Sequence, residues 1–252
     1  MIPLKDYNPT SRLPWVTILL IAVNVGVFFF VQRPYDRGVN RTSFSFEYAA
    51  IPCELVRGHP LTVDQVTETE AGDNTACRVP DSGVSQPEGY PAKQVYLAVL
   101  YSMFLHGSLL HIGGNMLFLW VFGNNIEDRM GSLPYLAFYL LAGFVATVAH
   151  TVVQPASSVP IVGASGAIAG VMGAYLVIFP DVRIRSVIFL FFILIREISA
   201  KWWLLFWFVL QFFTNPSAGV AWVAHVGGFL FGAMVALLLR DRLRPTPAIA
   251  PY

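Results

Sequence analysis

Six apolar runs, each near the roughly 20 residues needed to cross about 30 Å of hydrocarbon, leave this chain few folds to choose from. In lipid every backbone N–H and C=O must be satisfied within the protein, so open runs of this length specify helices. Their limits read as residues 14–31, 108–126, 133–153, 161–180, 198–214 and 218–239. Arg196, Glu197 and Lys201 interrupt the fifth, so Val187 to Ile195 reads as an interfacial approach, with the crossing starting near Ala200. Of 252 residues 56% are hydrophobic and 12% charged, and the mean hydropathy is +0.60, which is outside the range of a soluble domain. A net charge of +1 removes nucleic acid as a partner. The fold class expected is an all-α membrane protein with the bilayer as its solvent.

The first run lacks a small-residue cleavage site and is followed by Gln32-Arg33-Pro34, so it reads as a retained span rather than a signal peptide. With six crossings, Lys5, Arg12, Arg129, Arg183, Arg185, Arg240, Arg242 and Arg244 fall on one side, which puts both termini in the cytoplasm. Residues 1–13 then form a cytoplasmic segment, 14–244 the six-span domain and 245–252 a cytoplasmic tail. A long extracytoplasmic first loop, about residues 32–107, holds both cysteines, Cys53 and Cys77. Two cysteines confined to an exported loop suggest one disulfide in an oxidising compartment, with two free thiols as the alternative. The apolar end of that loop, Gln94 to Leu105, reads as lying on or in the outer leaflet, with His106-Gly107-Ser108 as the bend before the second span.

Gly163-Ala164-Ser165-Gly166 places a hydroxyl among glycines where the fourth run begins, and Ala224-His225-Val226-Gly227-Gly228 puts an imidazole in the sixth. Polar groups inside a membrane are costly and mark function. Spans two, four and six run inward from the outside, so position converts to depth at about 1.5 Å per residue. Ser165 lies about four residues in, His225 about seven, His111 about three and Asn115 about seven. All four therefore sit roughly 5–10 Å below the outer face. Ser165 has the chemistry of a nucleophile beside free helix-terminal N–H groups, and His225 that of its base. His111 and Asn115, four apart on one face, offer N–H donors to an oxyanion. Gly163 and Gly166 keep the hydroxyl approachable. Asp181, Glu127, Asp128, Glu197 and Asp241 all fall at the cytoplasmic end, so the expected machinery is a Ser165–His225 dyad in which packing orients the imidazole. Gly163, Gly166, Gly170 and Gly173 in the fourth span, with Gly228 and Gly232 in the sixth, mark faces where backbones approach closely and make these spans neighbours.

These motifs resemble the rhomboid family of intramembrane serine proteases. The resemblance runs from Met1-Ile2-Pro3-Leu4-Lys5-Asp6 and Asn8-Pro9 through His106-x4-His111-x3-Asn115 and Glu127-Asp128-Arg129-Met130-Gly131 to Gly163-x-Ser165-Gly166 and Ala224-His225-x2-Gly228-x3-Gly232. It implies a six-helix rhomboid bundle, Ser165 as nucleophile, His225 as base, and His111 and Asn115 in the oxyanion hole. The implied substrate is a transmembrane segment of a membrane protein, cut near its outer end without metal or organic cofactor. Two positions depart from the family pattern. Leu97-Ala98 stands where many members have Trp-Arg, and Ala169 replaces an aromatic packed on the histidine.

Other residues have quieter readings. His106 is a structural hydrogen-bonder, and His150 is interfacial. Glu127 and Arg129 pin the cytoplasmic turn through each other or through helix-end groups. Trp202, Trp203 and Trp207 form belt and packing. The fifth span with Asn215 to Gly219 is a gate. A zinc protease would need His-Glu-x-x-His and an aspartyl protease paired intramembrane aspartates; neither motif is present. The competing class is a non-catalytic rhomboid-like binder of transmembrane segments. The compartment expected is a bacterial plasma membrane.

Overall fold

The computed structural model describes residues 1–36, 41–78, 87–189, 193–214 and 221–243; the proposed gate at Asn215 to Gly219 and the tail 245–252 lie outside them. Strand β1 (Ile2–Asp6) leads into α1 (Trp15–Gly26), which continues as a π-helical stretch, Val27–Gln32, and then α2 (Arg33–Asp36). The first loop carries α3 (Arg41–Tyr48), α4 (Pro52–Arg57), α5 (Val63–Glu70) and α6 (Ala98–Ser102). Next, α7 (Leu109–Phe118), a π-helical stretch Leu119–Gly123 and α8 (Asn124–Met130) run into one another, before α9 (Ser132–Val153) and α10 (Ser165–Ile178). Strands β2 (Arg183–Phe189) and β3 (Ile193–Ser199), then α11 (Ala200–Gln211), α12 (Trp222–Leu238) and α13 (Arg240–Leu243) complete the chain.

Trp15–Gln32 and Ser132–Val153 are each long and apolar enough to cross a bilayer, while α10 and α12 are shorter apolar helices. Large apolar side chains remain uncovered along the bundle, with Leu110 87%, Phe30 82%, Leu133 77% and Leu238 77% exposed. Such surface is unfavourable in water and is the natural contact of lipid tails.

One element departs from an all-α fold. Arg183–Phe189 and Ile193–Ser199, which take in described parts of the Val187 to Ile195 approach and the first residues of the fifth run, pair antiparallel, and β1 adds to their edge in the order β1-β2-β3. In β2 the exposed Arg183 and Arg185 alternate with the buried Ile184 and Ser186, a period of two that suits a half-exposed sheet, while β3 carries Arg196 and Glu197 side by side. Open strands cannot sit in hydrocarbon, so the sheet caps the bundle outside it. Asp6 anchors it, accepting hydrogen bonds at 2.7 Å from both the Tyr175 hydroxyl and Asn125 Nδ2.

Of the two ways expected to pin the turn after α8, the structure takes the helix-end groups and not a Glu127–Arg129 pair. Glu127 accepts from the N–H groups of Val16 and Thr17, the Thr17 hydroxyl and the Ser132 hydroxyl at 2.7–2.9 Å, so it serves free donors at the start of α1. Arg129 instead lies over the Phe179 ring at 5.7 Å.

At the centre, α9, α10 and α12 pack against one another. A methyl added at Gly228 would meet the Gly166 carbonyl, and one at Gly232 the Gly170 backbone, so these helices touch main chain to main chain. The first loop is folded rather than a simple strap. Phe46, Ile51, Leu61 and the bonded pair Cys53–Cys77 form a small core of their own. Beside it Lys93 Nζ lies 2.6 Å from Glu54 Oε2, with both side chains at most 2% exposed. Burial raises the Glu54 pKa and lowers that of Lys93, each partly countered by the other. The loop is stitched to the segment before α10 by Cys53 N–H to the Ser157 carbonyl (3.1 Å) and Ile161 N–H to the Ala50 carbonyl (2.8 Å).

Candidate active site

Helix α10 begins at Ser165, four residues later than the apolar run suggested, because Gly163 takes φ +123° and ends the preceding segment. The Gly163 N–H is tied to the Ser102 carbonyl at 2.9 Å, and Ser102 Oγ accepts from Ala50 N–H at 2.7 Å, so the first loop braces the turn. As the first helical residue, Ser165 is surrounded by N–H groups with no intrahelical acceptor.

Across 60 residues of sequence, Ser165 Oγ and His225 Nε2 meet at 2.8 Å. The helix crossing produces this meeting. Gly166 adjoins Ser165 and Gly228 lies one turn beyond His225, so the tightest backbone approach falls beside the two side chains. Gly166 turns toward Ala146 and Ala224, where a Cβ would stand 2.7 Å from the Ala146 methyl, so it makes room for the crossing. Gly163 does face the site. A Cβ there would stand 2.8 Å from His111 Nε2 and 3.5 Å from Ser165 Oγ.

Just before α7, the Gly107 N–H points at His111 Nδ1, a long contact of 3.4 Å that makes Nδ1 the acceptor and Nε2 the protonated nitrogen. His111 therefore turns a donor toward the Gly163–Ser165 turn. Asn115 is buried and donates one amide hydrogen to the His111 carbonyl at 2.9 Å, leaving its second for the cavity it lines.

That cavity, about 1090 Å³, is lined by Ser165, His225, His111 and Asn115 together with Asn74, Thr75 and Arg78 from the first loop. The loop residues had no local signal, since their place depends on how the loop folds back. His150, read as interfacial, is buried and lines the same cavity. His106 is fully buried with its ring edge-on to His111 at 5.1 Å; its backbone is held by Gln32 through bonds of 2.7 and 3.0 Å.

Two residues of α11 escaped the sequence reading. Trp207, assigned to belt and packing, lies against the imidazole with ring centroids 5.8 Å apart and planes at 37°. It occupies the role left open by Ala169. One turn on, Gln211 Oε1 is 2.7 Å from His225 Nδ1. A lone amide in an otherwise apolar run was the available clue, because a polar side chain in a membrane helix needs a partner.

A family model and several known proteins match part of this chain. A family model described as a Rhomboid domain matches residues 93–242. The chain is 32% identical over 152 residues to the Presenilin-associated rhomboid-like protein, mitochondrial, of Bos taurus, covering 56% of this chain and 38% of that protein. It is 28% identical over 149 residues to Rhomboid protein 1, mitochondrial, of Saccharomyces cerevisiae, covering 55% and 40%. It is 40% identical over 78 residues to Rhomboid protease GluP of Bacillus subtilis, covering 31% and 15%. Each alignment thus spans less than half of the relative's length. Two of these relatives are named for mitochondria, which gives the expectation of a bacterial plasma membrane no support. With a domain match over more than half of its residues, and with helices that carry that family's motifs to one cavity, this integral membrane protein belongs to the rhomboid family.

Proposed function

We propose that the chain is an intramembrane serine endopeptidase that hydrolyses peptide bonds in or near transmembrane segments of membrane proteins. The observation that carries this reading is the 2.8 Å contact between Ser165 Oγ and His225 Nε2 inside a cavity. Ser165 attacks the scissile carbonyl as His225 takes its proton, and the oxyanion is met by His111 Nε2–H, Asn115 and the free N–H groups at the start of α10. His225 returns the proton to the leaving amine, and water then cleaves the acyl-enzyme by the same steps reversed. The chain crosses the membrane six times with both termini in the cytoplasm, and no metal or cofactor takes part. A substrate helix weakened by Gly, Ser or Pro unwinds at the cavity and exposes a carbonyl that a stable helix hides in its own hydrogen bonds.

Purified protein in liposomes with a labelled transmembrane substrate tests the proposal. Ser165→Ala and His225→Ala should each lower kcat by a factor on the order of 10³ or more. Undiminished cleavage by either variant overturns the Ser165–His225 mechanism, whereas no cleavage by the unsubstituted protein favours a binding role.

A further inference from the structure

His225 can act as base toward Ser165 only with its proton on Nδ1, which leaves the Nε2 lone pair facing the hydroxyl. Nothing in an isolated imidazole selects that tautomer. The group at Nδ1 is the Gln211 amide, and an amide can offer either its oxygen or its NH2. The Trp207 carbonyl decides which. It can only accept, and Gln211 Nε2 donates to it at 2.9 Å, so Oε1 is the end left facing Nδ1 at 2.7 Å. An acceptor there requires Nδ1 to bring the hydrogen. The donors then point one way along the chain: Ser165 O–H to Nε2, Nδ1–H to Gln211 Oε1, Gln211 N–H to the Trp207 carbonyl. Gln211 is only 7% exposed, so water does not compete for either end, and Trp207 also contributes the ring that lies against the imidazole.

We propose that Gln211 is a positioning residue that holds His225 in the Nδ1-protonated tautomer, in the place where a triad would carry a carboxylate. A neutral acceptor orients the ring without burying a second charge in an apolar setting. This inference rests on the dyad reading above.

The test compares Gln211→Met, which keeps length and bulk but removes the acceptor, with Gln211→Glu, whose protonated form repeats the same pattern of one donor and one acceptor. In liposomes, Gln211→Met should lower kcat about 100-fold or more with KM within about twofold, while Gln211→Glu keeps at least about a tenth of the wild-type kcat. Independently, 15N-histidine NMR of the full chain in micelles, with His225 assigned by its loss in His225→Ala, should show Nδ1 protonated and Nε2 unprotonated. In Gln211→Met this should become a mixture. Wild-type kcat in Gln211→Met, or an Nε2-protonated His225 in the unsubstituted protein, overturns the proposal. If Gln211→Met is fully active while Ser165→Ala is dead, only Gln211's role falls. If Ser165→Ala cleaves normally, the dyad itself falls, and the NMR result still reports whether Gln211 sets the tautomer.

Discussion

Gly163 shows how a single residue position carries several demands at once. Its φ of +123° is a conformation that side-chain-bearing residues rarely adopt, and its missing Cβ is the space that His111 Nε2 occupies. Ser165 and His225 were legible because a hydroxyl and an imidazole in apolar runs have few bland uses, whereas the lone amide of Gln211 signalled a partner without naming it, since His225 lies on another helix. At the other end of α10, Asp6 is a titratable residue with a consequence for stability. Burial raises its pKa above the ordinary 3.8, against the pull of the hydrogen bonds from Tyr175 and Asn125. A carboxyl with a raised folded pKa contributes stability that is fully present below its unfolded pKa and is lost as pH rises through the folded one. Asp6→Asn keeps an acceptor for both partners and removes the titration. Thermal unfolding in detergent at pH 4 and pH 7 should show wild type losing ground to Asp6→Asn at the higher pH; an unchanged difference would rule out this linkage.

Between elements, the decisive contact is α10 against α12. Association in lipid has no hydrophobic drive, so it depends on close packing, and small residues supply it. Gly170 and Gly232 permit an approach in which a Cβ on Gly232 would overlap main-chain atoms. Gly232→Val should therefore separate the helices, cost roughly 1–3 kcal/mol or more, and pull His225 from Ser165. Melting temperature and labelling of Ser165 by a fluorophosphonate should both drop; a variant that melts and labels like wild type would refute the packing argument. That these spans are neighbours could be read from glycine spacing, because the pattern is local to each helix. The β1-β2-β3 sheet could not, because β1 pairs with a hairpin about 180 residues away and an apolar run with charges looks alike as a frayed span or a strand.

For the whole molecule, the first loop joins stability to the site. Its core is held by the Cys53–Cys77 bond and the Glu54–Lys93 pair, and its residues Asn74, Thr75 and Arg78 roof the cavity. Breaking a buried pair leaves one charge unmatched and costs about 3–5 kcal/mol, whereas replacing both partners is near neutral. Glu54→Gln and Lys93→Met should each destabilise the loop by about that amount, read as faster proteolysis between residues 41 and 93, and the double variant should recover most of it. Additive losses in the double variant would show that the pair is not coupled.

The sequence alone determined that this chain lives in a bilayer, that Ser165 lies near the start of a helix, and that His225 shares its depth. These follow from run length, helix rise and the cost of polar groups in hydrocarbon, all properties of single segments. Only the tertiary structure decided what orients His225, what roofs the cavity, and that a sheet caps the bundle. Each of those depends on which distant elements meet, and a contact between residues far apart in sequence leaves no periodic trace in either one.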